Sequence, residues 1–458
     1  MTTGPERATG SAGATANEPE LLEAARRADG DAYGRLVGPY RAELHAHCYR
    51  MLGSAADAED ALQETLLRAW RGLPKFEARS SVRTWLHTIA TNVCLRAAER
   101  RPKRVLPVDY GPAADPHNGL AEPVTEAVWL EPYPDDRLDL ANGLAGPDAR
   151  YEQRESVELA FIAALQHLPA RQRAVLILRD VLGFSARETA TALETTPVSV
   201  DSALQRAHKS VDQRLPKRSQ QATLRSLGDH ALSEVVRRYV AAWERNDVDA
   251  VVAMLAEDAK MTMPPIPTWY QGREQVGVFL SSLVMTGSRR WRLIPARANG
   301  QLAFGAYVWD EKAQAFVADA VKVVGLRGTQ IEEITAFRTP DALRGLGLPG
   351  AIPAHWQSQR PGRWPGPGTG MRSPARRAVP EGTAGALLPD LQLGRRRRGC
   401  AAWPAAQWPE ERPVTGQLAR VRPGLLATLA DGLFATSYPG LQPRKRACEN
   451  ANPGTRRR

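Results

Sequence analysis

Between positions 57 and 104, apolar residues recur at steps of three and four, which is the spacing of one face of an α-helix. The first such stripe consists of Ala58, Ala61, Leu62, Thr65, Leu66, Ala69 and Trp70. The residues that this helix turns outward are mainly acidic, namely Asp57, Glu59, Asp60, Gln63, Glu64 and Arg68. The pattern therefore predicts an amphipathic helix with an acidic exposed face.

A second helix is predicted after the link GLPKFEARSS, with Ser80 as its N-cap. Its inward positions are Val82, Trp85, Leu86, Ile89, Ala90 and Val93. The other side carries Thr84, Thr88, Thr91 and Leu95, with Asn92 on the flank. The helix then runs into a basic end formed by Arg96, Arg100, Arg101, Lys103 and Arg104.

The stretch before this pair, from Glu20 to Leu52, has the pattern of two helices broken near Ala28 to Gly30. Within it, His45 and Cys48 are spaced to share one helical face. Because no second pair of ligands follows, a packed helix is favoured there over a metal site.

Residues 151–216 have the plan of a helix-turn-helix. Ser185 to Glu188 has the sequence of a capping box, and the short helix that it opens ends near Leu193. Thr196 and Pro197 then start a second helix, whose inward residues are Val200, Leu204, Ala207 and Val211. Its candidates for contact with a DNA groove are Val198, Ser199, Ser202, Gln205, Arg206 and Lys209. The alternative is a three-helix packing unit that does not touch DNA.

Residues 231–340 are predicted to form an α+β domain, because helical patterns come first and four alternating strands follow in RLIPARAN, LAFGAYVW, AFVADAVKVVGL and TQIEEITAF. Candidate pocket residues are Trp243, Met263, Trp269, Tyr270, Phe304 and Trp309, with plain core as the alternative interpretation of each. No histidine lies between Ala231 and Arg338, and the carboxylates of Asp258 and Asp319 have no evident partner in the sequence. A regulatory or ligand-sensing role is therefore favoured over acid/base catalysis.

The remaining segments have compositions typical of irregular chain. Residues 1–18 are small and polar, and 105–150 form an acidic, Pro-rich linker that is predicted to be extended. Residues 345–458 are rich in Arg, Pro and Gly, and we expect them to be disordered. This tail is either an electrostatic DNA-binding arm or the product of a shifted reading frame.

Net charge and cysteine content add little to these predictions. The formal net charge is +11, but from Gly345 onward there are 18 lysines and arginines against 6 acids, so the rest of the chain is close to neutral. DNA binding must therefore depend on local basic patches. The four cysteines lack CxxC spacing, and no signal peptide or membrane span is apparent, which favours the cytoplasm and excludes a membrane partner.

The two helices between positions 57 and 104, DAEDALQETLLRAWR and SVRTWLHTIATNVCLR, resemble region two of bacterial extracytoplasmic-function (ECF) sigma factors. The resemblance implies that residues 19–104 dock on core RNA polymerase through Asp57, Asp60, Gln63, Glu64 and Arg68. It also implies contacts with the melted minus-ten element from Phe76, Arg79, Ser80, Ser81, Arg83, Thr84, Thr88 and Asn92. Single-stranded DNA is held by stacking groups and cations, which Phe76, Arg79 and Arg83 would supply. The alternative is a helical hairpin whose charged face is only solvated.

The helix-turn-helix resembles region four of the same family, which implies contact with the minus-thirty-five element. The chain departs from the family pattern at Asp201 and Ala203, where basic residues are common. Contacts with the DNA backbone would then come from Arg206, Lys209, Arg214, Arg171 or Arg173.

The stretch AAWERNDVDAVVAMLAEDAKMTMPP resembles SnoaL-like, polyketide-cyclase-like domains, and residues from about Glu20 to Pro349 are similar to sigma factors that carry such an extension. The resemblance implies two all-α domains followed by a cone-shaped α+β barrel. It also implies a non-enzymatic sigma factor whose partners are core polymerase and promoter DNA. The barrel would regulate it through a small-molecule ligand or through contact with the other domains, without cofactor or metal. The alternatives are a polymerase-independent DNA-binding regulator and a cyclase- or isomerase-type enzyme fused to DNA-binding domains.

Overall fold

The computed structural model describes residues 18–100, 102–124, 129–138 and 156–355. The predictions for residues 1–17 and for the tail from position 356 onward lie outside the described residues. The first helical domain comprises α1 Glu18–Arg26, α2 Gly30–Val37, α3 Arg41–Leu52, α4 Ala55–Gly72 and α5 Val82–Arg100. Helices α3, α4 and α5 pack on one another around a shared apolar core.

Three features of this domain differ from the sequence prediction. The stretch before α4 holds three helices, because Pro39 starts a 3-10 turn that separates α2 from α3. The N-cap of α5 is Ser81 and not Ser80, since the Ser81 hydroxyl accepts a hydrogen bond from the Thr84 N–H at 3.1 Å. Thr91 and Leu95 are buried, although the pattern turned them outward, because other helices also cover that side of α5.

The described parts of the linker contain little regular structure beyond one helical turn, α6 Pro107–Tyr110. The second helical domain then follows as α7 Leu159–Gln166, α8 Ala170–Leu176, α9 Ala186–Ala192 and α10 Pro197–Asp212. The predicted capping box is present, since Ser185 and Glu188 each bond to the other's backbone N–H. Thr196 caps α10 and Pro197 occupies its first turn, as the sequence predicted.

The barrel contains more strands than the sequence indicated, and the helix that leads into it is interrupted at Gly228, whose φ of 69° and ψ of 168° are not helical. Its elements are α11 Gln220–Glu244, α12 Val248–Met254, β1 Leu255–Met263, β2 Ile266–Gln271, α13 Arg273–Phe279, β3 Trp291–Ala298, β4 Gln301–Asp310, β5 Ala315–Arg327, β6 Gln330–Phe337, α14 Pro340–Gly345 and β7 Ala351–Pro353. The prediction missed β1 and β2, because AEDAKMTMPP has the pattern of a helix end followed by a turn. The four predicted strands, β3 to β6, are all present.

The sheet has the order β2-β1-β6-β5-β4-β3, in which only the β1–β6 pair is parallel and β7 adds to β5. Both of its faces are buried. Phe304 and Ala306 face the barrel helices, whereas Ala303 and Tyr307 belong to a core shared with the helical domains. This alternation is the period-two pattern of a strand. The strand β7 also shows that ordered structure continues past position 345, where the sequence placed the start of the tail, because Ile352 is buried against this core.

Candidate polymerase and promoter interfaces

The acidic face of α4 is exposed in the middle of the helix, whereas the first turn of the helix is in contact with other residues of the protein. Asp60 and Gln63 are exposed, and Glu64 forms an ion pair with Arg68 at 2.6 Å along the helix. Asp57 is instead paired with Arg104 at 2.6 Å, with both side chains only 12% exposed. The part of the predicted docking face that is open to a partner is therefore centred on Asp60, Gln63 and Glu64.

The linker lies across the first turn of α4. The Glu131 carboxylate accepts hydrogen bonds from the Ser54 hydroxyl at 2.8 Å and from the backbone N–H of Ala56 at 3.4 Å. Arg137 lies 3.3 Å from the Glu59 carboxylate and also bonds the imidazole of His45. Burial, helped by the positive charge of Arg137, lowers the pKa of His45 to about 4, so this ring is neutral at pH 7. It accordingly serves as a structural acceptor, and no group of metal-ligating residues occurs in the part of the chain that the structure describes.

Several residues of the predicted minus-ten surface are engaged within the protein. Phe76 is 8% exposed and stacks on Trp85 with ring centroids 4.6 Å apart, so its ring is not available to a base in this state. Thr88 donates to the carbonyl of Thr84 in its own helix. Arg79, Ser80 and Ser81 remain exposed.

The segment between α8 and α9 covers the start of α5. Arg83 forms an ion pair with Glu43, donates to the Leu182 carbonyl at 3.2 Å and lies 5.2 Å from the centre of the Phe184 ring. Burial raises the pKa of Glu43, but the hydrogen bond from Arg83 and the electrostatic effects of His87, Arg83 and Arg50 together outweigh it, so the pKa is lowered. The pKa of Glu188 is lowered by hydrogen bonds, mainly from Ser185 and in part from Thr84. The second helical domain is thus docked on the surface to which minus-ten contacts were assigned.

The predicted groove helix α10 presents its polar side to solvent. All six candidates are exposed, namely Val198, Ser199, Ser202, Gln205, Arg206 and Lys209. Beneath them, Val200, Ala207 and Val211 are buried. Arg171 is exposed as well. Arg173, named from the sequence as a backbone contact, is instead buried and donates to the Met51 carbonyl of α3, to the Gln166 side chain at 2.6 Å and to the Leu168 carbonyl at 3.2 Å. It holds the two helical domains together and cannot reach DNA in this arrangement.

Family comparisons agree with this order of domains. Residues 36–104 match sigma-70 region 2, residues 158–211 match sigma-70 region 4, and residues 236–334 match the SnoaL-like domain. The chain is 41% identical over 329 residues to the ECF RNA polymerase sigma factor SigG of Mycobacterium tuberculosis, an alignment that covers 71% of this chain and 86% of SigG. The chain belongs to the ECF sigma factors.

Two further matches concern SigJ of Mycobacterium tuberculosis. This sigma factor is 28% identical to SigJ over 328 residues, which covers 67% of this chain and 92% of SigJ. The crystal structure of SigJ has 22% sequence identity and a TM-score of 0.44, and the match covers 68% of this chain and 97% of that one.

A contact point that the sequence reasoning missed lies at the β3–β4 turn of this sigma factor. Asn299 is fully buried, and its side-chain amide donates to the Tyr49 hydroxyl and to the Val157 carbonyl, each at 2.8 Å. Its side-chain oxygen accepts from the Tyr133 N–H at 2.8 Å. Three segments therefore meet at one side chain: the first helical domain, the linker and the entry to the second helical domain. The available signal was the Asn-Gly pair, which is typical of a tight hairpin turn.

Neighbouring polar contacts extend this junction. The Gly300 N–H donates to Asp135 at 2.7 Å, and Gln301 accepts from the Leu159 N–H at 2.9 Å. The buried carboxylate of Glu158 accepts from the first N–H groups of α11, at Gln220 and Gln221. We call the set Asn299, Gly300 and Gln301 the barrel turn.

The pocket residues predicted in the barrel separate into two groups. Trp243, Met263, Tyr270 and Phe304 lie in the core between the sheet and the barrel helices. Trp269 points the opposite way and donates to the Gly111 carbonyl of the linker, since it neighbours Tyr270 on β2. Trp309 packs against the other core and under Arg290. These two residues therefore lie away from the other four, because a shift of one position along a strand reverses the face.

The two barrel carboxylates considered for chemistry both pair with arginines. Asp319 lies 2.8 Å from Arg338, and the exposed Asp258 lies 2.9 Å from Arg327.

Among the helices described, none is long and apolar enough to cross a membrane.

Proposed function

We propose that this protein binds core RNA polymerase through the exposed part of α4 and directs it to promoters. The single observation that carries the proposal is that Asp60, Gln63 and Glu64 form an accessible acidic patch on α4, whose other face is buried in the domain core. An acidic patch suits a basic partner surface, since complementary charge favours the rate and specificity of association. Family membership supports core polymerase as that partner and the cytoplasm as the place of action.

Promoter contact would involve both helical domains. Residues from Arg79 to Asn92 would bind the melted minus-ten strand, and the exposed side of α10 would read the minus-thirty-five element in the major groove. Arg83 and Thr84 are held against the second helical domain in the described state. Binding of the minus-ten strand would therefore require the two helical domains to separate.

The barrel would control that separation without catalysis. Support comes from the barrel turn, where one buried side chain bonds to three other segments. A contact of this kind stabilises one arrangement of the domains over others, so any event that loosens it shifts the population toward the open form. An enzymatic role has less support, because Asp258 and Asp319 are both paired with arginine.

The test of polymerase binding is reconstitution with core enzyme and promoter DNA. We expect the double variant Asp60→Ala/Glu64→Ala to reduce core affinity at least tenfold, because the accessible charge of α4 would be lost. The matched control is Glu257→Ala/Glu311→Ala, which removes two exposed acids from the barrel. Unchanged affinity in the α4 variant would refute the docking assignment, and tight promoter binding without core would favour a polymerase-independent regulator.

A further inference from the structure

The first turn of α10 presents an apolar side chain to solvent. Val198 is 75% exposed, and the two other large apolar side chains that stand out as exposed in the described part of the chain, Tyr110 and Leu67, are 52% and 43% exposed. A β-branched residue does not favour an exposed helical position, because its side chain loses rotational freedom there. The stability of the helix therefore gives no reason for a valine at position 198.

The polar groups next to Val198 are already used by the start of the helix. The Thr196 hydroxyl accepts a hydrogen bond from the Ser199 N–H at 3.2 Å and donates to the Ser199 hydroxyl at 2.9 Å. Pro197 has no N–H to offer. A phosphate would therefore find few free donors at this end of α10, although helix starts often bind phosphates. Contact between the first turn and DNA falls mainly to the Val198 side chain.

Charge is divided along α10 in a way that separates base contacts from backbone contacts. In the first half, residues 197–204, the only charged side chain is the exposed Asp201. The exposed cations Arg206 and Lys209 lie in the second half. A carboxylate repels the phosphate backbone of DNA, whereas arginine and lysine attract it. The first half is thus suited to base edges, as in helix-turn-helix proteins, whose recognition helices contact bases from their N-terminal residues.

We propose that Val198 contacts the 5-methyl group of a thymine in the minus-thirty-five element and selects thymine at that position. Valine carries no hydrogen-bonding group in its side chain, so it cannot pair with the donors and acceptors of a base edge. The thymine methyl is the apolar group that base pairs present in the major groove. This inference rests on the proposed function of α10 and adds the identity of a base that its first turn selects.

The test removes the methyl group from each side of the contact in turn. Holoenzyme made with the wild-type protein first selects minus-thirty-five duplexes from a random library. Each thymine of the selected element is then replaced by deoxyuridine, which lacks only the methyl group. At one position, we expect the affinity of wild-type holoenzyme to fall about fourfold, which corresponds to the burial of one methyl group. Competition fluorescence anisotropy measures this difference.

The protein side of the same cycle is Val198→Ala. This variant should bind the thymine duplex more weakly than the wild type and should no longer distinguish thymine from deoxyuridine at that position. Its urea midpoint should stay the same, because Val198 is exposed. The matched control is Gln205→Ala, about two turns further along α10, which should weaken binding but keep the deoxyuridine effect.

The outcomes separate this inference from the function on which it rests. Failure of the holoenzyme to select any minus-thirty-five sequence would overturn the proposed function and the thymine contact together. Selection of an element without thymine, no effect of deoxyuridine at any thymine, or an equal effect in the wild type and Val198→Ala would overturn the thymine contact alone.

Discussion

Replacement of Asn299 by alanine should release the two helical domains from the barrel. The substitution removes the partners of two buried backbone groups, the Tyr133 N–H and the Val157 carbonyl, while the Tyr49 hydroxyl keeps its bond to the Glu131 carbonyl. An unsatisfied buried polar group costs about 1–3 kcal/mol, so the two together disfavour the closed arrangement by about 2–6 kcal/mol. Since about 1.4 kcal/mol is a tenfold change, the open population should rise at least tenfold.

Amide hydrogen exchange reports this opening directly. In Asn299→Ala, we expect faster exchange in α9 and at the start of α5, where Arg83 and Phe184 are in contact, together with tighter binding to core polymerase. The matched control is Asn246→Ala. Asn246 also has a left-handed backbone, with φ of 53° against 56° for Asn299, but it donates to the Arg289 carbonyl within the barrel. Asn299→Ala could lower overall stability and yet show the same exchange rates at the domain contact, and the same affinity for core polymerase, as Asn246→Ala. That result would refute the role assigned to Asn299 in holding the domains together.

Two other predictions concern pH and DNA. The pKa of His45 is about 4 in the folded protein, below its unfolded value near 6.5, so the unfolded chain takes up the proton at a higher pH. The free energy of unfolding should therefore fall as pH drops from about 6.5 to about 4. This residue contributes up to about 1.4 kcal/mol per pH unit to the fall. Urea titrations at pH 7, 6 and 5 should show a smaller fall in His45→Gln, and an identical fall would contradict the assignment. For DNA, Gln205→Ala and Arg206→Ala should each weaken holoenzyme binding to a minus-thirty-five duplex by about 1–3 kcal/mol, measured by fluorescence anisotropy. Asp212→Ala, an exposed change at the end of α10, serves as control, and equal effects in all three variants would argue against groove readout.

The parts of this protein that could be predicted from sequence are those specified by neighbouring residues. The capping box at Ser185, the N-cap at Thr196 and the four strands from β3 to β6 all have signals within a few positions of themselves. The accessibility of the α10 candidates also followed from helical periodicity alone. By contrast, β1 and β2 were missed because AEDAKMTMPP has the pattern of a helix end followed by a turn, and because burial along β1 does not alternate from one residue to the next.

The polar side of α5 shows why the candidate site itself was harder to predict. Threonines on a helix are usually interpreted as exposed, yet Thr91 is buried, with its hydroxyl donating to the His87 carbonyl and lying 3.0 Å from the His47 imidazole. Hydroxyls and neutral imidazoles can satisfy one another, so a polar face can be packed as fully as an apolar one. Periodicity in the sequence shows which face of a helix is polar. It does not show whether that face is covered by solvent or by another polar surface of the protein. A helix face that binds DNA and one that packs against another domain therefore have the same sequence pattern. In the described state, Arg83 and Thr84 contact another domain.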